Sequence, residues 1–497
     1  MKDSKKKEHM HLVRYNFIMN FILIASRFVF PLITFPYVSR VLLAEGNGKV
    51  AFASSVANYF MMVASLGIPT YGVRACSQVR EDKKALSKTV QEIYFINLIM
   101  TVLVSITYLS CVFTIPKFQA ERSLFLINGV DILLNMFGMN WVFQALEKYD
   151  YITVRSLIFK FISIGLMIAL VHKQEDYVVY AAITVFAAVG SNLFNFIQIQ
   201  KYIDFSWVGK YNLKRHIKPV LILFAQSLAV SVYTNLDTVM LGFMKTGVDV
   251  GYYNAAVKIK SILLSIVTSL GNVLLPRMSY YAKHNLKLEF KDMMLKALNF
   301  TVLMSIPLVM YFILFARESI IFIAGDGYVG AISAMQIITI AIIPNGLTSV
   351  LGIQVLTALE KEKNVLCSVV VGASTDFVLN MVFIPSYGAA GAAFATAVAE
   401  FMVLFIQIFF TKGLLREMNK SFRFPIYFIL SALCGGISYA IKWAGIQSVL
   451  WKLLLSAIVF WGIYVVGLFV TKEPVVLEMI NDFSVKLETI KNGRRKR

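Results

Sequence analysis

The chain has 497 residues, of which 58% are hydrophobic and 15% are charged. The apolar residues come in continuous runs of about twenty, long enough to cross the ~30 Å hydrocarbon core as helices. This pattern excludes an ordinary soluble domain and predicts an all-α polytopic membrane protein. We expect about 14 transmembrane helices, at residues 15–38, 49–70, 90–113, 123–143, 152–171, 178–200, 218–240, 252–275, 297–315, 331–357, 365–384, 388–410, 424–443 and 450–470.

The charge of the chain is strongly basic, with 48 lysines and arginines against 28 acidic residues and a net charge of +20. Most of the basic residues lie in segments that are cytoplasmic if the N-terminus is inside, so the positive-inside rule predicts that both termini face the cytoplasm. Anionic lipid at the inner rim then accounts for the charge, and no nucleic acid is needed. Residues 471–497 predict an amphipathic interfacial helix with a basic tail.

The chain also repeats itself. Gly48 precedes Arg74 by 26 residues, and Gly251 precedes Arg277 by 26 residues. The motif Ala-Leu-Glu-Lys follows the fourth predicted span and recurs after the tenth. These matches predict two six-helix lobes in parallel repeat, followed by two C-terminal helices. The predicted parts are an N-lobe at 1–200, a cytoplasmic linker at 201–217, a C-lobe at 218–411, helices 13 and 14 within 412–470, and the tail at 471–497.

Charged residues inside the predicted spans are the strongest functional signal. Two lobes with a seam are typical of an alternating-access transporter, whose site lies near the midplane. A charge there is costly unless it meets a partner or a wet cavity. Arg27 lies near the middle of the first span, and its guanidinium suits phosphate oxygens, which favours an anionic substrate. Lys258 and Lys260 lie in the eighth span, where a structural ion pair between Lys258 and Asp237 is the alternative to a substrate role.

Missing motifs narrow the chemistry further. Gly46-Asn47-Gly48-Lys49 is too short for a phosphate-binding loop, so we expect a transporter without ATPase activity rather than an enzyme. Uphill transport would then draw on a gradient of H⁺ or Na⁺, with Asp237, Asp376 and Glu400 as candidate coupling residues, or on consumption of the product outside. His9-x-His11 is a weak metal signal and the cysteines show no paired spacing, so we predict no metal and no cofactor.

An ordered set of short motifs runs through nearly the whole chain. The first lobe contains Pro36-Tyr37-Val38-Ser39-Arg40-Val41-Leu42, Asn58-Tyr59-Phe60 and Tyr71-Gly72-Val73-Arg74. The second contains Asn235-x-Asp237 and Gly251-x-Tyr253-x-Ala255-Ala256. Together they resemble bacterial polysaccharide repeat-unit flippases of the multidrug/oligosaccharidyl-lipid/polysaccharide exporter superfamily. This chain has Leu43 where the family motif is usually followed by glycine, so the outer end of the first span is expected to turn differently.

The resemblance implies a specific cargo. Such flippases move undecaprenyl-diphosphate-linked oligosaccharides from the inner to the outer leaflet of the bacterial plasma membrane, for capsule, exopolysaccharide or O-antigen assembly. A polymerase or export complex is the implied protein partner. Arg27, Lys258 and Lys260 would then face the diphosphate, and Asn58, Asn235 and Asn254 the glycan. Asparagines in spans also commonly form interhelical hydrogen bonds, which is their alternative role.

Two other classes fit parts of the sequence. A multidrug or cation antiporter of the same superfamily would be expected to hold acidic residues in the first lobe, whereas the first span carries Arg27. A membrane-embedded glycosyltransferase or polymerase would be expected to carry a sizeable loop with acidic residues, which the sequence lacks. Both remain alternatives to the flippase.

Overall fold

The computed structural model describes residues 2–207, 209–269, 271–416 and 423–474. Within these ranges the side chains of residues 2–14, 17, 27, 28, 226, 229–233, 272 and 273 lie outside the description, and so does the predicted tail from residue 475 onward. The described residues form helices and turns with no strand among them, which confirms the predicted all-α fold.

The chain divides into two compact units, Met1–Asn254 and Ala255–Arg497. The helices of the first unit are α1 (Lys2–Ser65), α2 (Ile68–Ser77), α3 (Lys83–Thr114), α4 (Pro116–Ala120), α5 (Arg122–Asn135), α6 (Asn140–Ala145), α7 (Tyr149–Leu170), α8 (Tyr177–Val189), α9 (Asn192–Gln198) and α10 (Lys214–Met244). Short 3₁₀ turns occupy Gln174–Asp176 and Ile199–Lys201.

Helix α11 (Gly247–Thr268) begins in the first unit and continues into the second. The remaining helices are α12 (Gly271–Lys283), α13 (Lys287–Leu314), α14 (Ala316–Ala324), α15 (Ala331–Ile340), α16 (Ile342–Thr348), a π-helix at Ser349–Leu356, α17 (Glu362–Arg416), α18 (Phe424–Tyr439) and α19 (Val449–Val470). Asp326–Tyr328 and Ala440–Trp443 form 3₁₀ turns.

Ten segments of the described chain are long and apolar enough to cross a membrane, so the protein is a multi-pass membrane protein. Two of these segments, Ile18–Ser77 with 60 residues and Glu362–Arg416 with 55, are each long enough for two crossings. Helices α1 and α17 break inside these segments, at Leu43 (φ 55°) and Gly388 (φ 52°). The count of 14 spans and the lobe boundaries stay predictions.

The two copies of the Ala-Leu-Glu-Lys motif have the same backbone geometry. Glu147 has a φ of 57° and Glu360 a φ of 59°, both in the left-handed region. The following amides, Lys148 N and Lys361 N, each donate a 2.8 Å bond to the carbonyl five residues earlier. Such a turn ends a helix sharply, so the repeated motif terminates a helix in the same way at both places.

At one end of the first unit, the backbones of α1 and α11 pack without side chains between them. We call this the glycine end. A Cβ at Gly48 would overlap the carbonyl oxygen of Gly247, and a Cβ at Gly251 would overlap that of Ala44. Because only glycine lets helices approach so closely, these residues close α1 against the start of α11.

At the opposite end of the unit, α10 lies against the junction of α1 and α2. We call this the linker end. A Cβ at Gly67 would overlap the carbonyl of Val220 and come within 2.7 Å of Leu223 Cβ. The Tyr71 hydroxyl of α2 is 2.8 Å from Nδ1 of His216 in the first turn of α10. At the linker end, the first part of α10 therefore packs against α1 and α2.

In the second unit, the hairpin of α18 and α19 is held by an ion pair at each end. Lys442 Nζ lies 3.3 Å from Glu318 and donates to the Leu314 carbonyl at 2.7 Å. At the other end Arg423 lies 3.3 Å from the buried carboxylate of Glu473. The Tyr427 hydroxyl donates to the same carboxylate at 2.8 Å. The Lys442 contacts therefore fix one end of the hairpin to α13 and α14, while the Glu473 contacts join the start of α18 to the segment after α19 within the hairpin.

Candidate functional site

Lys160 of α7 places an ammonium group beside the helical turn that carries Arg27. Its Nζ donates to Ser26 Oγ at 2.7 Å and lies 5.3 Å from the centroid of the Phe30 ring. Ser26 and Phe30 are four residues apart and share one face of α1. Arg27 directly follows Ser26 in the helix, although its side chain lies outside the description. Lys160 therefore brings a positive charge beside this stretch of α1.

Lys160 was missed in the sequence analysis, yet the signal was present. It lies near the middle of α7, Tyr149–Leu170, where the rule that identified Arg27 also applies. Arg155, earlier on the same helix, is buried and bonded to Asn140 Oδ1 at 3.0 Å and the Ser191 carbonyl at 3.3 Å. Arg155 therefore connects helices, and we do not include it among the candidate substrate-binding residues.

The predicted polar residues of the first unit gather on α10 and α11. Asp237 is buried and accepts a hydrogen bond from the Tyr253 hydroxyl, which joins the two helices. Asn235 is half-buried and donates to the Thr234 hydroxyl at 3.1 Å. Asn254 is half-buried, whereas Asn58 of α1 is exposed. The structure thus brings Asp237 into contact with α11, while Asn58 lies apart on α1.

In the second unit, Lys260 and Glu400 face each other between α11 and α17. Lys260 Nζ is 4.0 Å from Glu400 Oε1, and both side chains are largely buried. Asp376 and Asn380 are also buried on α17, with Asn380 Nδ2 donating to Asp376 at 3.0 Å. Lys258 is half-buried and, two residues before Lys260, lies on a different face of α11. Lys258 and Lys260, which the sequence analysis treated together, therefore lie in different surroundings.

Asp131 of α5 adds a carboxyl group to the predicted acidic residues. Its Oδ1 atom is buried and has no hydrogen-bond partner within the described part of the chain. A buried carboxylate without a partner is unfavourable, and binding a proton or a cation removes that cost. Asp131 is therefore a further buried acidic residue of the first unit whose contacts would change with its charge.

A cavity of about 200 Å³ lies at the glycine end. Three lysines line it, but Lys49 is already 2.8 Å from Glu121 and 3.2 Å from Glu45. Because these carboxylates neutralise Lys49, we assign the cavity no anion. Among the described residues there is also no group of three or more His, Cys, Asp or Glu that could hold a metal ion.

Outside the spans, Arg80 connects the loop after α2 with the turn after α6. Its Nη1 is 2.6 Å from Glu147 Oε1, and this hydrogen bond raises the pKa of Arg80 above its usual value. Both side chains are well exposed, so the pair contributes little to stability.

Together, many membrane-spanning helices and charged groups buried among them define a membrane transporter fold. The family model described as "Polysaccharide biosynthesis protein" matches residues 13–282, more than half of the chain. The protein belongs to this family of polysaccharide biosynthesis proteins, which confirms the resemblance in its motifs.

Similarity to individual known proteins supports the same family assignment. The chain is 24% identical over 410 residues to a protein of Escherichia coli (strain K12) named as an O-antigen transporter, covering 81% of this chain and 97% of the relative. Its fold is similar to that of the lipid II flippase MurJ in an inward closed conformation. The TM-score is 0.71 at 16% identity, over 93% of this chain and 100% of the other. An inward-facing multidrug resistance transporter of the MATE family is also similar, with a TM-score of 0.56 at 12% identity, over 78% of this chain and 98% of the other.

Proposed function

We propose that this protein is a flippase that moves undecaprenyl-diphosphate-linked oligosaccharides from the inner to the outer leaflet of the bacterial plasma membrane. Both termini face the cytoplasm, and the cycle is one of alternating access. The products feed capsule, exopolysaccharide or O-antigen assembly. The family match, a relative named as an O-antigen transporter and a fold like that of a lipid II flippase all support this proposal.

The observation that carries the proposal is the positive charge within the spans of the first unit. A diphosphate with a polar glycan cannot cross hydrocarbon without losing its hydration. Lys160, held at Ser26 next to Arg27, supports a cationic surface that can replace this hydration. Lys258 and Lys260 are further cationic candidates, and Asn58, Asn235 and Asn254 are candidates for the glycan.

Coupling to H⁺ or Na⁺ is the second part of the proposal. Asp237, Asp376 and Glu400 are buried acidic residues, and a change of protonation or a bound Na⁺ would alter their contacts with Tyr253, Asn380 and Lys260. The unpartnered Oδ1 of Asp131 makes this residue a fourth candidate. Basic segments at the inner rim would contact anionic lipid.

A translocation assay with purified protein tests the proposal. Proteoliposomes carry a fluorescent lipid-diphosphate oligosaccharide in the inner leaflet, and its appearance outside is followed without nucleotide and with an imposed pH or Na⁺ gradient. We expect protein-dependent translocation that one of the gradients accelerates. Absence of translocation with several such lipids would contradict the flippase. Translocation that ignores both gradients would contradict the coupling alone.

A cation antiporter is the second candidate, because the MATE-like fold and the buried carboxylates fit it also. In the same vesicles an antiporter would exchange an organic cation for H⁺ or Na⁺ and leave the lipid-linked glycan in place. Chemistry on the glycan during the assay would instead indicate a glycosyltransferase or polymerase.

A further inference from the structure

Glu92 of α3 is a fully buried carboxylate at the linker end, with 0% of its surface exposed. It accepts hydrogen bonds from the Asn212 amide at 2.8 Å, from Arg215 Nε at 2.9 Å and from His216 Nε2 at 2.7 Å, and it forms an ion pair with Arg215 Nη2 at 2.6 Å. His216 extends the network to the Tyr71 hydroxyl on α2. One carboxylate therefore gathers the end of the linker and the first turn of α10 onto α2 and α3.

The neighbouring residue, Gln91, holds a different part of the linker. Gln91 Nε2 donates to the Asp204 carbonyl at 2.6 Å, and its Oε1 accepts from the Tyr211 hydroxyl at 2.7 Å. Gln91 thus contacts the linker as far as Tyr211, and Glu92 contacts it from Asn212 onward. Loss of the Glu92 charge would release Asn212–His216 and the start of α10, while the preceding linker stays on α3.

The energetics make Glu92 the dominant member of this network. Hydrogen bonds to a charged group are stronger than neutral ones, and a buried carboxylate that loses its cationic partner keeps an unpaired charge in a poorly solvated place. Separation of α10 from α2 and α3 would break the Arg215 and His216 contacts with Glu92 and uncover the packing around Gly67. The closed linker end is therefore favoured as long as Glu92 is charged.

We propose that Glu92 is a conformational lock, which holds the first turn of α10 against α2 and α3 and is released when this end of the first unit opens. The contacts of Glu92 described above are the evidence for the lock itself. Its release during transport rests on the proposed alternating-access function. Glu92 acts through Arg215 and His216, so it is a positioning residue and no contact with the cargo is assigned to it.

Cys76 of α2 offers a natural reporter of the lock. It is fully buried and belongs to the same apolar cluster as Tyr71 and Val220 of α10. The test protein retains Cys76 and carries Cys111→Ser, Cys367→Ser and Cys434→Ala. It is placed in lipid nanodiscs, where both membrane faces are accessible. The rate at which Cys76 reacts with N-ethylmaleimide is then measured. In Glu92→Gln we expect labelling at least about tenfold faster, because charge-assisted bonds to Arg215 and His216 are lost.

Other variants measure how much each contact contributes to the labelling rate and serve as controls for misfolding. Arg215→Gln removes one partner and should accelerate labelling less than Glu92→Gln. Tyr71→Phe removes only the bond to His216 and should have the smallest effect. Glu81→Gln, an exposed acidic residue before α3, is the charge-matched control and should label like the parent protein. Hydrogen exchange of the peptide 212–223 supplies a second measure, with faster exchange expected in Glu92→Gln.

The outcome separates the lock from the flippase. Labelling and hydrogen exchange need no glycan, so a protein that fails to translocate lipid-linked glycan can still show the lock. Parent rates of labelling and exchange in both Glu92→Gln and Arg215→Gln would overturn the lock and leave the flippase proposal standing. If Glu92→Gln does not accumulate, the Arg215→Gln and Tyr71→Phe rates decide.

Discussion

A basic side chain inside a membrane span must be solvated by the protein itself. The Ser26 hydroxyl and the Phe30 ring solvate the Lys160 ammonium, and they do so on the turn of α1 that contains Arg27. Arg27 and Lys160 are therefore the residues at which the proposed diphosphate contact can be tested most directly.

Arg27→Ala should abolish glycan export while the protein accumulates normally in the membrane. Losing one charge-assisted contact costs about 1.5 to 3 kcal/mol, or about tenfold to a hundredfold in affinity. Arg27→Lys keeps the charge without the bidentate fork and should recover part of the activity. Export and membrane abundance are measured together. Arg27→Met with export at the parent rate would remove Arg27 from the substrate site.

Lys160→Met should lower glycan export in the same assay, because the methionine fills the space beside Phe30 without the charge. Lys173→Met, at an exposed lysine just beyond the end of α7, is the matched control and should export normally. A loss of membrane abundance in Lys160→Met that matches its loss of export would instead indicate a structural lysine.

Some candidate residues can be identified from the sequence alone, and others only from the fold. Charge within an apolar run is a local signal, and it singled out Arg27, Lys260 and Glu400, whose roles stay predictions. The same signal extended to Lys160 but was not followed there. Glu92 could not be found in this way, because its partners Arg215 and His216 lie more than a hundred residues away and only the fold brings them together.

At the scale of helices, hydropathy predicted the all-α fold, but it could not predict how helix backbones meet. Leu43 illustrates this limit. The missing glycine led us to expect a different turn, and the structure has a positive φ of 55° at Leu43 itself. Such a conformation costs a non-glycine residue about 1 to 3 kcal/mol. The Asn47 side chain donates to the Leu43 carbonyl at 3.1 Å and supports the bend.

The glycine end provides a prediction at this scale. Gly48→Ala should destabilise the closed contact, because the added methyl group would overlap the Gly247 carbonyl. A cysteine at Val250, which is fully buried, should react with a thiol reagent markedly faster in the Gly48→Ala background. Gly165→Ala is the matched control, since no atom lies within 4 Å of the added carbon. Equal reactivity in both backgrounds would contradict a closure that depends on glycine.

At the scale of the whole molecule, the orientation in the membrane can be tested by accessibility. We expect Lys83→Cys and Lys361→Cys to resist an impermeant thiol reagent in intact cells, because positive charge is retained inside. Thr246→Cys, at the exposed start of α11, should react. The natural cysteines are replaced first, and permeabilised cells show that all three sites can react. Labelling of Lys83→Cys from outside would contradict the proposed topology.

The pinned hairpin of α18 and α19 has a consequence for the lipid around the protein. Lys442 fastens one end of it to α13 and α14, and the Tyr464 hydroxyl of α19 donates to the Leu303 carbonyl of α13 at 2.8 Å, so the hairpin is packed firmly on these helices. A prenyl chain could pass between the hairpin and α13 only by separating these contacts. We therefore expect the hydrocarbon tail of the proposed cargo to avoid this face, and a fluorophore at the exposed ring of Trp443 would report movement of the second unit without disturbing the packed side of the hairpin.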